Sequence, residues 1–177
     1  KLLQTAKQFG FGQEAPVTGG LYADAGNLPE LDELAQSGQL ANFSFGQGNL
    51  LATPLQVAAM MNTIASGGIY RTPFFAECTL DETDGTLLET LSHPQSRRVM
   101  TVENAETLRR MLMQVVEEGT AQDASGLSGG AGGKTGTAQT GQFTPEGTER
   151  MNLWFAGFYP AEKPRCTIVV LQDGQTR

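Results

Sequence analysis

Residues 132–139, Gly-Gly-Lys-Thr-Gly-Thr-Ala-Gln, contain the side chains of this chain that are best suited to chemistry. If this segment is a strand, alternate side chains share a face, so Lys134 and Gly136 point away from Thr135 and Thr137. Such a strand can hold an extended substrate, offer ammonium and hydroxyl donors to a carboxylate, and direct a backbone N–H at a developing oxyanion. Gly136 leaves room for another element to approach closely. The segment therefore predicts one wall of an acyl-transfer site.

Gly-Lys-Thr also ends a phosphate-binding loop, which is a competing interpretation of the same residues. In that loop a glycine lies five residues before the Gly-Lys pair, a buried strand precedes it and a helix follows. Ser128 occupies the first glycine position, residues 124–127 are not a buried strand, and residues 135–141 are poor helix formers. The nucleotide-binding interpretation is therefore the weaker one. A third interpretation is an edge strand whose lysine is only solvated.

Two helices are predicted upstream of this segment. Thr53 is a good N-cap, Pro54 suits the first helical position and Gln56 completes a capping box, so the first helix begins at Pro54. Thr101 can cap the second helix, and Gly119 ends it. The apolar face of the second helix is expected to pack in the core and consists of Leu108, Met111, Leu112, Val115 and Val116.

Three apolar strands are predicted at residues 134–140, 152–159 and 166–171. The polar loops between them are short enough to make the strands antiparallel neighbours. Asp-Gly at residues 84–85 predicts a surface hairpin, whereas residues 9–29 show no helical or strand period and are expected to form a surface loop. The pattern indicates an α+β fold, with an antiparallel sheet flanked by helices.

Composition and charge exclude several classes of protein. The 177 residues are 39% hydrophobic and 18% charged, which suits one globular domain. The net charge of −7 argues against a nucleic-acid partner, since phosphate binding requires clustered Lys and Arg. Cys78, Cys166 and the single histidine, His93, have no metal-like spacing, so no metal site is predicted and both cysteines are expected to be buried.

The chain has no apolar run of the ~18 residues that a membrane span needs, and no secretion signal at its start. It opens at residues 1–7 in what reads as the middle of a helix, without an initiator Met or a cap. We therefore expect that an upstream portion exists.

Four sequence blocks resemble the transpeptidase domains of penicillin-binding proteins in their order and spacing. The blocks are Phe45-Gly46-Gln47-Gly48 with Thr53-Pro54-Leu55-Gln56, Glu118-Gly119-Thr120-Ala121, Gly133-Lys134-Thr135-Gly136-Thr137-Ala138, and Trp154-Phe155-Ala156-Gly157-Phe158-Tyr159-Pro160. The resemblance implies an α/β sandwich like that of serine β-lactamases, in which the Lys-Thr-Gly strand lines the cleft. Residues 1–177 would be the C-terminal portion of such a domain.

The resemblance also implies roles for the Lys-Thr-Gly residues. Lys134 would help to place a proton and hold the carboxylate of the substrate. Thr135 and Thr137 would hydrogen-bond that carboxylate, and the N–H of Thr137 would form half of the oxyanion hole. Gly136 would permit close approach.

Further residues implied by the resemblance lie beside the cleft. Gly46, Gln47 and Gly48 would shape the loop behind it, and Trp154 would belong to the neighbouring strand. The family pattern also requires Ser-x-x-Lys, which carries the nucleophile, and Ser-x-Asn. Neither motif occurs in this sequence, so we expect both in a missing N-terminal part of the domain, upstream of Lys1.

The function implied by the resemblance is that of a peptidoglycan D,D-transpeptidase. A serine of the parent protein would be acylated by the D-Ala-D-Ala end of a stem peptide, or by a β-lactam, without a metal or organic cofactor. The parent protein would act on the extracytoplasmic face of the bacterial membrane, anchored by an upstream helix. The alternatives are a β-lactam-sensing receptor domain and a non-catalytic scaffold of cell-wall synthesis.

The chain alone is expected to be inactive, because it lacks the nucleophile. Apolar faces of the sheet and of the second helix would be uncovered without the rest of the domain. We therefore expect the isolated chain either to self-associate or to bind the missing part.

Overall fold

In the computed structural model, which describes residues 1–18, 20–91 and 96–176, helices and short strands precede a long antiparallel sheet. Before the sheet the chain forms α1 (Leu2–Gln8), β1 (Ala15–Thr18), β2 (Leu21–Ala23), α2 (Leu31–Leu34), α3 (Gln39–Ser44), α4 (Pro54–Ala65), β3 (Ile69–Arg71), β4 (Cys78–Leu80), β5 (Leu87–Thr90), β6 (Ser96–Arg98) and α5 (Val102–Glu118). A 3-10 turn at Gln122–Ala124 leads to the sheet strands β7 (Gly132–Phe143), β8 (Glu149–Tyr159) and β9 (Cys166–Gln175). The predicted α+β fold is confirmed.

The main sheet of the described residues has the strand order β7-β8-β9, with both pairs antiparallel. In register, Lys134 lies opposite Ala156, and Phe155 opposite Val170. The three predicted strands are confirmed, but each is longer than its apolar run. The backbone ladder continues into polar residues such as Gln139, because strand pairing joins main-chain groups whatever the side chain.

Helices α4 and α5 cover one face of this sheet. Met61 of α4 forms a buried cluster with Ala156 and Phe158 of β8, and Leu112 and Met113 of α5 pack against it. Burying a side chain the size of Phe158 contributes roughly 1.5–3 kcal/mol. The sheet is thereby held against the two helices.

The opposite face of the sheet is largely uncovered by the described residues. Ile168 and Val170 of β9 point away from the helices and are 49% and 54% exposed. Val169, which lies between them, packs against the core cluster. This alternation is the period of two of a strand with one covered face.

Helix α4 begins as predicted, with a complete capping box. The Gln56 N–H donates to Thr53 Oγ1 at 3.2 Å, and the Thr53 N–H donates to Gln56 Oε1 at 3.0 Å. The amide of Gln56 is buried and also donates to the carbonyl oxygens of Gly10, at 3.2 Å, and Ala25, at 2.8 Å. One side chain therefore starts the helix and joins it to the opening segment.

Helix α5 is also capped as predicted, since the Asn104 N–H donates to Thr101 Oγ1 at 3.2 Å. The helix ends at its C-cap, Gly119. Its apolar face is only partly covered: Val116 is 2% exposed, but Met111 is 54% exposed. Core packing is therefore confirmed for Val116 and wrong for Met111, which lies outside the part of the face that meets the sheet and α4.

The opening segment is more ordered than the predicted surface loop. Its β1 and β2 pair antiparallel, with Pro16 opposite Tyr22. Gly20 lies in the turn with a φ of +86°, a conformation open to glycine. The strands have only four and three residues, which is too short to leave a clear period in the sequence.

The predicted surface hairpin at residues 84–85 is confirmed by the antiparallel pairing of β4 and β5. Every residue of these two strands is exposed. The expectation of buried cysteines is wrong: Cys78 lies in this hairpin, Cys166 begins strand β9, and both are exposed free thiols.

Within the described ranges no helix is long and apolar enough to cross a membrane. No group of three His, Cys, Asp or Glu side chains in those ranges could hold a metal ion. His93, which the sequence analysis considered, lies outside the described residues.

Candidate active site

Strand β7 carries the Lys-Thr-Gly segment along an edge of the main sheet, as far as the described strands extend. The Thr135 carbonyl accepts from the Lys134 ammonium at 2.8 Å, and the Thr137 carbonyl accepts from the Gln47 amide at 3.4 Å. Within a strand the N–H and C=O of one residue point to the same side. The backbone N–H groups of Thr135 and Thr137 are therefore directed to the free edge, where an extended ligand could pair.

Thr120 lies where the end of α5 meets β7. Its Oγ1 is 2.8 Å from Thr135 Oγ1, and the Lys134 ammonium donates to it at 3.4 Å. Gly119 makes this turn possible, because a Cβ there would lie 2.9 Å from backbone atoms of Val115. The end of α5 thus places the Thr120 hydroxyl group beside the Lys-Thr-Gly strand.

The strand period predicts that Lys134 and Thr135 point to opposite faces, but the polar ends of the two side chains lie close together. Their Cβ atoms alternate along the strand, but both polar ends meet Thr120 Oγ1. The flexible lysine stem allows this, since it carries the ammonium to the carbonyl of the next residue. One hydroxyl group therefore joins two of the predicted site residues.

Gln47 is held at the end of α3 by two left-handed glycines. Gly46 and Gly48 have φ values of +81° and +78°, which other residues adopt at a cost. The Gln47 N–H donates to the Asn42 carbonyl at 2.9 Å. Its side chain reaches the Thr137 carbonyl through the long contact of 3.4 Å. The structure therefore brings the Gly-Gln-Gly loop to the end of the Lys-Thr-Gly segment.

Gly136 lies opposite Trp154 in the β7–β8 register. A Cβ at Gly136 would meet Trp154 Cβ at 3.5 Å, which is ordinary contact, so the close approach predicted there is not to any described residue of this chain. The tight positions are Gly132 and Gly133, where a Cβ would lie 2.2 Å from the Phe158 ring and 2.7 Å from the Phe155 ring, respectively. Trp154 is half-buried and supports the strand from its neighbour.

The segment does not have the geometry of a phosphate-binding loop. Lys134 and Thr135 lie inside strand β7, and the strand continues to Phe143 without a helix. A phosphate-binding loop uses the amide groups at the start of a following helix, which this segment lacks. The strand interpretation is confirmed.

The Lys134 ammonium is exposed and has no neutralising partner among the described residues. No Asp or Glu of residues 1–18, 20–91 or 96–176 lies within 4.0 Å of it, although the chain has a net charge of −7. Its described partners are the neutral oxygens of Thr120 and Thr135. A cation with neutral partners at an open strand edge is suited to binding an incoming carboxylate.

Thr120 is the residue of this site to which the sequence analysis assigned no role. It was part of the Glu-Gly-Thr-Ala block, but a threonine after a helix end has many possible uses. Its position 15 residues before Thr135 shows no periodic relation to the strand. The available signal was only that a Gly-Thr pair ends α5 shortly before the Lys-Thr-Gly segment.

Sequence comparison identifies the family. The profile of the penicillin binding protein transpeptidase domain matches residues 1–177. Penicillin-binding protein PbpB of Mycolicibacterium smegmatis is 35% identical over 189 residues, covering 100% of this chain and 28% of that protein. Peptidoglycan D,D-transpeptidase PbpA of the same organism is 33% identical over 178 residues, covering 100% of this chain and 35% of that protein.

Solved structures give the same result. Penicillin binding protein 3 from Mycobacterium tuberculosis, complexed with ampicillin, has a TM-score of 0.80 and 32% identity, covering 97% of this chain and 39% of that chain. The imipenem acyl-enzyme complex of penicillin-binding protein A from M. tuberculosis has a TM-score of 0.81 and 25% identity, covering 98% and 37%, respectively.

The chain spans about a third of the length of these relatives. The match nonetheless extends over the whole of the chain, both in sequence and in fold. This chain belongs to the family of penicillin-binding protein transpeptidase domains.

Proposed function

We propose that this chain forms the Lys-Thr-Gly wall of a peptidoglycan D,D-transpeptidase that also reacts with β-lactams. The observation that carries the proposal is the open edge of β7, where the Lys134 ammonium and the main chain of Thr137 face the same side. Two relatives are themselves named for this chemistry or described as an acyl-enzyme with a β-lactam.

The proposed site would hold the C-terminal D-Ala carboxylate of a stem peptide. Lys134 would neutralise that carboxylate, and the Thr135 and Thr137 hydroxyls would donate to it. The Thr137 N–H would stabilise the oxyanion that forms on the scissile carbonyl. Gly136, between the two threonines, would leave space for the substrate backbone, while Gln47 would hold the carbonyl side of Thr137 in place.

The nucleophile in this proposal is a serine in sequence upstream of Lys1. Its Oγ would bond to the penultimate D-Ala carbonyl carbon, the peptide C–N bond would break, and a proton would pass to the leaving D-Ala nitrogen. An amine of a second stem would then attack the ester, and the serine would regain a proton. The same Oγ would open a β-lactam ring, whose nitrogen takes the proton and remains attached.

This chain would accordingly act as part of a larger protein and be inactive alone. The proposed place of action is the extracytoplasmic face of the bacterial membrane, where peptidoglycan is built. We propose that an upstream helix anchors the parent protein there, and that no metal or organic cofactor takes part.

Intact-mass spectrometry with a labelled penicillin tests the proposal. Two samples are compared: this chain, and this chain mixed with the fragment that precedes it in the parent protein. An adduct that forms only in the mixture, on the upstream fragment, is the expected result. Release of D-Ala from a stem peptide by the same mixture would separate the transpeptidase from a β-lactam sensor. No adduct in either sample, with both folded and associated, would contradict the proposal and favour a scaffold.

A further inference from the structure

The contact between α5 and β7 contains a chain of three polar side chains. The Lys134 ammonium is 3.4 Å from Thr120 Oγ1, which in turn is 2.8 Å from Thr135 Oγ1. All three residues are at least partly exposed, and they lie along the edge where the carboxylate is proposed to bind. Thr120 is thus the link between the ammonium and the hydroxyl group.

The chemistry of the three groups favours one direction for these hydrogen bonds. An ammonium group has donors and no acceptor, so the Thr120 oxygen must accept from Lys134. Accepting from a cation polarises the Thr120 hydroxyl and makes its proton a better donor. Thr135 Oγ1, at 2.8 Å, is the described acceptor within reach of that proton. The favoured order is Lys134 to Thr120 to Thr135.

This order determines what Thr135 can offer to a ligand. If Thr135 Oγ1 accepts from Thr120, its own single proton is left free. If instead Thr135 donated to Thr120, that proton would be used within the protein and the hydroxyl would present lone pairs to the ligand. A carboxylate accepts hydrogen bonds and repels lone pairs, so only the first arrangement suits it.

We propose that Thr120 is a positioning residue that orients the Thr135 hydroxyl as a donor toward the carboxylate of the ligand. The inference rests on the proposed function, because it assumes that a carboxylate binds at Lys134 and Thr135. It adds a selectivity role for a side chain outside the Lys-Thr-Gly segment. Thr120 itself need not touch the substrate.

The test compares two penicillins on the full-length protein that contains this chain: one with its free carboxylate, and its methyl ester. Acylation rate constants are measured for the wild type, Thr120→Val, Thr120→Ser and Thr135→Val. Valine has nearly the shape of threonine without the hydroxyl, whereas serine keeps it. Thermal unfolding of each variant shows whether the fold is retained.

Thr120→Val is expected to slow acylation by the free acid roughly two- to tenfold, the net size of one neutral hydrogen bond, because the Thr135 hydroxyl keeps its proton but loses the donor that fixes its orientation. Acylation by the ester should change much less, because its carbonyl attracts the donor only weakly. Thr120→Ser should restore the preference for the acid. Thr135→Val should lower that preference at least as much as Thr120→Val, because it removes the donor itself, and adding Thr120→Val to it should have little further effect.

Equal slowing of the acid and the ester by Thr120→Val would show a merely structural role and overturn the inference. So would a Thr120→Ser variant that behaves like valine, or additive effects of Thr120→Val and Thr135→Val. If Thr120→Val fails to fold, Thr120→Ala removes the same hydroxyl and takes its place in the comparison with Thr120→Ser. A wild-type protein that no penicillin acylates would contradict the proposed function itself, and with it this inference.

Discussion

At the scale of the single residue, Lys134 is a cation whose described hydrogen-bond partners are neutral. Its ammonium has neutral oxygen partners from Thr120 and Thr135 rather than a carboxylate within the described chain. An ion pair there would have to be broken before a substrate carboxylate could bind. The neutral partners instead hold the charge at the strand edge.

Replacing Lys134 by methionine should remove the charge and keep most of the side-chain volume. In the full-length protein, acylation by a penicillin should fall about 100-fold, since the cation that binds the carboxylate of the ligand is lost. Stopped-flow kinetics, or mass spectrometry of samples quenched at successive times, would measure this rate. Lys163→Met, in the exposed turn after β8, is the matched control and should leave the rate unchanged. An unaltered rate in Lys134→Met would rule out the carboxylate-binding role.

Tyr70 illustrates a residue whose environment affects stability. Burial raises the pKa of its hydroxyl, while the Arg97 guanidinium, 4.2 Å from the ring centroid, acts to lower that pKa. Because the folded-state pKa is raised, the unfolded chain loses the proton first as the pH increases. The stabilising contribution is therefore complete below the unfolded pKa of about 10 and is lost as the pH rises through the folded pKa.

Tyr70→Phe should make the unfolding free energy of the chain less sensitive to alkaline pH. Urea unfolding at about pH 9 and about pH 11 would measure this, the two values bracketing the ordinary tyrosine pKa. Tyr22→Phe is the control, because Tyr22 is 62% exposed. The same alkaline loss of stability in the wild type and Tyr70→Phe would show that Tyr70 is not responsible.

At the scale of elements, capping and buried polar contacts determine how the helices are placed. Thr53 and Gln56 close the first turn of α4, and Thr101 closes that of α5. Gln56 also joins α4 to the opening segment, because its buried amide donates to carbonyl groups of that segment. The start of α4 and the opening segment should therefore lose stability together.

Gln56→Ala should lower the free energy of unfolding by about 1–3 kcal/mol, because buried carbonyls lose their donor. The opening segment should also exchange its amide hydrogens faster. Chemical denaturation and hydrogen exchange would measure the two effects. Gln114→Ala, on the exposed side of α5, is the control and should change stability by less than about 0.5 kcal/mol. A Gln56→Ala variant as stable as this control would contradict the assignment.

At the scale of the whole molecule, the main sheet has helices α4 and α5 on one face and, among the described residues, exposed apolar side chains on the other. Ile168 and Val170 are each about half exposed, and Phe155 lies opposite Val170 in the register. Apolar surface of this kind favours association with another surface. The proposal that this chain is part of a larger domain and the expectation of self-association concern this same face.

The isolated chain is expected to be larger than a monomer in size-exclusion chromatography with light scattering, and Val170→Lys should shift it toward the monomer. A charged side chain at this position opposes burial of the face. Gln172→Lys is the control, since it adds the same charge on the same face without removing an apolar group. A compact wild-type monomer that binds no apolar dye would contradict the expectation.

The sequence alone was enough to predict the local features of this protein. The capping residues Thr53 and Thr101, the hairpin at residues 84–85 and the three strands of the main sheet depend on neighbours a few positions away. The Lys-Thr-Gly segment was recognised as a strand because the residues around it suit neither a helix nor a phosphate-binding loop. Four sequence blocks were likewise enough to indicate the family.

Which side chains meet and which are covered depends on how the elements pack together. Gln47 and Thr137 are 90 positions apart, and Thr120 meets Thr135 only because α5 ends beside β7. The exposure of Met111 and of both cysteines likewise depends on which surfaces other elements cover. Periodicity predicts which face of an element is apolar, and capping residues predict where a helix starts. Contacts between distant residues form only when the chain packs, so neither signal predicts them.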